Sequence, residues 1–192
     1  MTALEDVAFD GWSWEIIEAA AEKAEHDRDM ATAVFPNKLK DVLIHFSDWA
    51  DRDMLKRLEG IDPSSMRVRD RVRLAVQTRF YALKDYKEAV RHSTGYWLRP
   101  FRKYEAGKMV WQTADKIWEW AGDTSTDYNK YTKRGLLSGV LTSTTFAWMN
   151  DETEDQSKTL RFLDSRIDNV MQLGKVIGRV KSMTGRLKQK TS

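Results

Sequence analysis

Apolar residues along this chain recur at three- and four-residue intervals between short polar turns, and no run alternates with period two. That spacing gathers side chains on one face of an α-helix, so the pattern predicts an all-α protein. Ser13 caps a first helix reaching about Glu25, with Ile16, Ile17, Ala20 and Ala24 facing inward. After His26-Asp27 a short segment runs from Arg28 to Phe35, and Pro36-Asn37 opens a longer helix with an apolar stripe of Leu39, Val42, Leu43, Phe46, Trp49 and Ala50. Glu59 to Ser65 is a connecting loop in which Ser64 or Ser65 caps a helix from Met66 to about His92. That helix presents Val68, Val72, Ala75, Val76, Leu83 and Val90 to the core, and an aromatic segment, Tyr96 to Phe101, then leads on through Gly107.

The chain is organised around Trp111 to Asp151, where two helical patterns meet at Gly122-Asp123-Thr124-Ser125-Thr126. Trp111, Asp115 and Trp118 sit at i, i+4 and i+7, which places a carboxylate between two indoles on one face. Gly122 closes the first helix, and Ser125 or Thr126 caps the second, Asp127 to Met149. Gly135, Gly139 and Thr142 form a row of small residues opposite Leu137, Val140, Leu141 and Thr144. Such a row lets another helix approach closely or leaves room for something else. An acidic loop, DETEDQ, precedes a last packed helix from about Ser157, with Phe162, Leu163, Ile167, Val170, Met171 and Leu173 on its buried side. Beyond it, Val176, Ile177, Val180, Met183 and Leu187 keep helical spacing among Lys175, Arg179, Lys181, Arg186, Lys188 and Lys190. That segment reads either as a solubilising tail or as an amphipathic helix drawn to anionic headgroups.

At 192 residues the chain suits one domain that buries roughly 70% of its unfolded surface. It divides by pattern into an N-terminal part (1–58), a helical body (59–174) and the basic tail (175–192). With no cysteine, disulfides and thiolate metal sites are out of reach. The net charge of +3 is smaller than the charge of the tail alone, so the remainder is slightly acidic. No apolar run approaches the ~20 residues of a membrane span. MTALEDVAFDGW matches neither a signal nor a transit pattern, so a cytoplasmic protein is expected. Arg67, Arg69, Arg71, Arg73 and Arg79 crowd one helix, either as a face paired to acids elsewhere or as a partner- or phospholipid-facing patch. His26, His45 and His92 are scattered, and no zincin, di-iron, phosphate-loop, dinucleotide or nucleophile-elbow motif occurs. Neither a catalytic residue nor a metal site is therefore expected. Asp123 and Asp127 read as turn and cap acceptors, and Asp115, among indoles, as the acid in the least ordinary setting.

The motif AGDTSTDYN-x-YTKR-x-LL with its upstream D-x-x-W at Asp115 and Trp118, and a second block, RFLDSRIDNVMQLGK, resemble the signature of a coenzyme Q (ubiquinone) biosynthesis accessory family, ninth of the coenzyme Q series. Weaker similarity in FDGWS and MRVRDRVRLAV extends the likeness over most of residues 9–175. The resemblance implies a TetR-repressor-like helical fold with a degenerate N-terminal helix-turn-helix, and a homodimer closed by the last two long helices. It implies a non-catalytic lipid-binding protein that needs no cofactor and binds an isoprenoid quinone precursor or phospholipid. Such a protein presents its lipid to the demethoxyubiquinone hydroxylase at the membrane surface, as a peripheral membrane protein. Carried over residue by residue, the lipid or partner surface is Asp115, Ile117, Trp118, Asp127, Lys130 and Tyr131, with Lys130 standing where the family has an aromatic. The membrane contact falls on Val176, Ile177, Arg179, Val180, Lys181, Met183, Arg186 and Leu187.

The alternative is a TetR-type transcriptional regulator that senses a hydrophobic ligand, and a third reading is a small-molecule enzyme. MATAVFPNKLKDVL has the layout of a helix-turn-helix. Yet residues 12–40 hold six acids against four bases, and Asp27 and Asp29 flank Arg28 on the recognition segment. Phosphate contacts need cations for counterion release, so no nucleic-acid partner is expected.

Overall fold

Ser13 lies in extended backbone and accepts a hydrogen bond from the Ile16 amide at 3.3 Å, which starts the helix from Trp14 where the sequence places it. The computed structural model describes residues 3–172, and nine α-helices and no strand occur among them. They are α1 (Ala3–Asp10), α2 (Trp14–Lys23), α3 (Arg28–Val34), α4 (Leu39–Arg57), α5 (Val68–Ala82), α6 (Lys87–Trp97), α7 (Lys103–Trp120), α8 (Tyr128–Met149) and α9 (residues 157–172). Short 3₁₀ turns lie at Pro63–Ser65 and Lys84–Tyr86.

Helices α1 to α3 pack on one another, and α1 also meets α6. Trp12 ties this N-terminal group to the body. Its indole N–H donates to the Ala89 carbonyl at 2.8 Å, and its ring meets Phe46 at 5.3 Å. The main core gathers Phe46, Met54 and Leu58 of α4, Val76 and Phe80 of α5, Ile117 of α7, Leu141 and Trp148 of α8, and Leu163 of α9. Each large apolar side chain so buried contributes roughly 1.5–3 kcal/mol.

The arginine-rich face of α5 is a paired face. Arg69 reaches Asp168 at 2.7 Å, Arg73 reaches Asp164 at 2.6 Å, and Arg79 reaches Asp51 at 2.8 Å. Arg71 instead donates to the Ala121 carbonyl at 2.8 Å. The charges thereby dock α9 and α4 against α5, which is the plainer of the two sequence readings.

Several sequence expectations need correction. Helix α1 has no counterpart among the predicted elements. Ala24 is the exposed C-cap of α2, not an inward residue. Asp62, not Ser64 or Ser65, supplies the acceptor after α4, and α5 begins at Val68 after Arg67, which makes no side-chain cap. The helix expected from Met66 to His92 is broken at Leu83 to Tyr86 without a glycine or proline to mark it. Leu83 is buried there and Tyr86 meets Trp49 edge-on at 5.3 Å, so packing redirects the chain. Val68 and Met171 are exposed, and Gly107 lies inside α7. Leu173 and the tail residues Val176, Ile177, Arg179, Val180, Lys181, Met183, Arg186 and Leu187 lie outside the described residues.

Candidate functional site

Two features of the α7–α8 region stand out, an ion-pair elbow and an apolar cavity. At the elbow Gly122 adopts φ +80°, the left-handed conformation that closes α7. Asp127, not Ser125 or Thr126, caps α8, accepting from the Asn129 amide at 3.0 Å and from its side-chain nitrogen at 3.1 Å. Aspartate is as good an N-cap as serine, so the later acid wins by position.

Arg134 lies buried at the centre of the elbow, 2% exposed. It donates through Nε to Asp115 and through Nη1 to Asp123 Oδ2 at 2.8 Å. Asp123 also accepts from Lys133 Nζ at 2.6 Å and Ser125 Oγ at 2.8 Å. Burial pushes the Asp123 carboxyl up, but the hydrogen bonds from Lys133, Arg134 and Ser125 outweigh it and hold the group well below the usual carboxylate range. Burial likewise lowers Arg134, while its bonds to Asp115 and Asp123 hold it above its ordinary value. Arg134 was missing from the sequence-derived site, although it shares one helical face with Leu137, Leu141 and Trp148 at i, i+3, i+7 and i+14, and that face is buried.

The six residues expected to form a surface divide accordingly. Ile117 is fully buried and belongs to the core, so it is not a surface residue. Asp115 is turned to Arg134 and stays about a third exposed. Trp118 donates its indole N–H to the Lys133 carbonyl at 3.1 Å and carries Lys133 Nζ 5.4 Å from its ring centre. Asp127 and Tyr131 are exposed and Lys130 is half-buried. Tyr131 leans on Trp111 with ring centres 6.2 Å apart. Asp115, expected between two indoles on one face, is therefore held by Arg134, with Trp111 against Tyr131 and Trp118 against Lys133.

The cavity, about 740 Å³, lies among α4, α5, α6, α7 and α8. Phe46, Leu83, Val90, Trp97, Leu141 and Phe146 supply much of its apolar wall. Gly107 and Gly139 line it too, and a Cβ at either would meet nothing within 4 Å. The row of small residues on α8 thus leaves room beside it. The serines and threonines that α8 contributes spend their hydroxyl protons on their own helix, as Ser138 does on Arg134, Thr142 on Ser138 and Thr145 on Leu141. The volume falls within the range of small-molecule sites, and the wall is suited to a hydrocarbon.

Residues 104–174 match the COQ9 family model. The resemblance read from the motifs is to COQ9, and it holds. The chain is 30% identical to the rat ubiquinone biosynthesis protein COQ9, mitochondrial, over 187 residues, covering 94% of this chain and 60% of that protein. The human protein of the same name is 28% identical over 187 residues, covering 94% of this chain and 58% of its own length. The chain thus spans about three-fifths of the length of these COQ9 relatives. Among solved structures, a TetR transcriptional regulator from Nitrosomonas europaea superposes with a TM-score of 0.70 at 21% identity, covering 89% of this chain and 94% of that one. The fold is TetR-like and all-α. Among the described residues no helix is long and apolar enough to cross a membrane.

Proposed function

We propose that this chain is a non-catalytic accessory protein of ubiquinone biosynthesis that holds an isoprenoid quinone precursor or a phospholipid in the α4–α8 cavity. The observation that carries this reading is an apolar cavity of about 740 Å³ whose wall is built in large part by residues 104–174, the COQ9-matching stretch. Burial of a tail contributes roughly 0.8 kcal/mol per methylene, so a few isoprene units suffice to retain a ligand. The lipid is presented to the demethoxyubiquinone hydroxylase across the exposed elbow surface around Asp127, Lys130 and Tyr131, and the protein is peripheral at the membrane through its basic tail. A homodimer through α8 and α9 completes the arrangement.

The test is complementation of quinone synthesis in cells lacking their own COQ9 protein. Asp127→Ala/Tyr131→Ala is expected to impair quinone synthesis while the melting temperature falls by only a few degrees, since a cap contributes ~1 kcal/mol. Full rescue by that variant would remove the elbow from the partner surface. A collapse of folding would make the pair structural.

The regulator reading draws on the TetR-like fold alone. Against it, the Arg28 guanidinium is already engaged by Glu22, with Nη2 at 3.1 Å from the carboxylate, and Lys23 is engaged by Asp6 at 2.7 Å. Lys40 also lies 4.0 Å from Glu105, which leaves Lys38 as the base of that stretch without an acid partner among the described residues, too little cation for several phosphate contacts.

A further inference from the structure

Two charged residues line the apolar cavity, Lys103, which is exposed, and Arg79, which lies deep in the wall. The Arg79 side chain, on α5, is only 12% exposed. Arg79 Nε donates to Asp51 Oδ1 at 2.8 Å and Nη2 to Ser47 Oγ at 3.1 Å. Nη1 has no protein acceptor among the described residues. Asp51 is filled from its other sides by Thr113 Oγ1 at 3.0 Å and Lys116 Nζ at 3.1 Å, and Lys116 in turn meets Asp48 at 2.5 Å. Arg79 and Lys116 are balanced by Asp51 and Asp48, and Asp48 also meets the exposed Arg52, so the buried end of the wall carries no net charge of its own.

What the wall does offer is hydrogen-bond donors. Ser47 accepts from Arg79, and its own proton has no acceptor among the described residues. Trp97, on the same wall, has a buried indole N–H without a partner. Donors lacking acceptors in a low-dielectric wall call for a ligand that brings acceptors. Because the buried part of the network is neutral and Lys103 lies in the exposed part of the wall, an anionic head placed at Ser47 and Arg79 would lose its hydration without a compensating net cation.

The position of the group adds a direction. Ser47 and Met109 also line a second, more polar cavity of about 650 Å³ between α4 and α7, where Asp41, Asp48 and Lys116 supply charged groups. The exposed large apolar residues of the apolar cavity are Leu98, which caps the end of α6, and Phe146 of α8. A head at Ser47 is thus at the partition between an oily and a wet compartment.

We propose that Ser47 and Arg79 form the head-group end of the cavity, donating to the acceptor oxygens of an uncharged amphiphile whose tail lies along the apolar wall towards Leu98 and Phe146. This rests on the lipid-binding reading above and assigns the class and orientation of its ligand.

The test is isothermal titration of the full chain with three probes that share an octyl tail, namely octyl-benzoquinone, octylbenzene and octyl phosphate. The quinone is expected to bind tightest. Ser47→Ala, which keeps the Arg79–Asp51 pair, should weaken quinone binding about fivefold, as the loss of one net hydrogen bond dictates, and leave octylbenzene unchanged. Arg79→Met should weaken the quinone further, and where that variant does not fold, Ser47→Ala decides alone. Equal binding of quinone and octylbenzene, with no effect of Ser47→Ala, would overturn the head-group assignment while leaving a lipid-binding cavity. Tighter binding of octyl phosphate would show an anionic head and overturn it too. Absence of binding by all three would sink the cavity reading itself.

Discussion

Replacing Arg134 by Met removes the guanidinium from the α7–α8 elbow and strands two carboxylates. Arg134 is 2% exposed and bonds Asp123 at 2.8 Å as well as Asp115, so the substitution breaks a buried ion pair from one side. Such a change typically costs ~3–5 kcal/mol. Here Asp123 keeps Lys133 and Ser125, and Asp115, with a side chain 32% exposed, can turn to water. These residual partners lower the expected loss to ~2–3 kcal/mol. For a domain of this size each kcal/mol shifts the melting temperature by ~2–4 °C, so circular-dichroism melting should show a fall of roughly 4–12 °C. Arg134→Met/Asp123→Asn should lose less than the sum of the two single variants, because the second change removes a carboxylate the first has stranded. A variant melting within ~2 °C of the parent, or strict additivity in the double variant, would refute the elbow as a coupled unit.

Acid should destabilise the protein partly through Asp123 and Asp151. Both are held below the usual carboxylate range because hydrogen bonds outweigh the upward push of burial: Lys133, Arg134 and Ser125 for Asp123, Thr153 and Thr159 for Asp151. A depressed folded value gives stability that is complete above the unfolded value of about 4 and lost as pH falls below it. Melting temperature against pH should therefore drop below about pH 4 in the parent and drop less steeply in Asp151→Asn, and identical acid limbs would contradict the assignment. Gly139→Phe, at a position where a Cβ meets nothing within 4 Å, should fill the cavity and abolish lipid retention without lowering the melting temperature. Retained lipid at parental stoichiometry would place the ligand elsewhere. Truncation after Leu173 should weaken co-sedimentation with anionic liposomes, and equal binding of both chains would remove the tail from the membrane contact.

The helical stripes were legible because burial follows spacing, as Val42, Phe46 and Ala50 on α4 show. Gly122 was legible because few other residues tolerate its backbone conformation. The break between α5 and α6 was not, since it is imposed by Leu83 and Tyr86 finding partners distant in sequence. Ile117 was grouped with a surface motif by adjacency, whereas its spacing from Ala114 and Ala121 marks the inward face that all three occupy. Arg134 escaped for the opposite reason. Its position fits the buried stripe, but a charge is ordinarily taken for surface until its two acid partners are seen to converge on it from α7 and the turn. The small-residue row on α8 left the cavity as one of two alternatives and no more, because the apolar residues that fill a core and those that line a hollow one are of the same kinds. Only the absence of atoms beside Gly107 and Gly139 distinguishes them.

The space between α4 and α8 is proposed to hold a lipid. Native mass spectrometry of the full chain purified from ubiquinone-producing cells, followed by solvent extraction and identification of what is released, tests it most directly. One bound amphiphile per chain is expected, with an uncharged, oxygen-bearing head and an isoprenoid or acyl tail, absent from Gly139→Phe prepared in parallel. A chain that flies at its bare mass under the gentlest conditions and yields no extractable lipid near stoichiometry would contradict it.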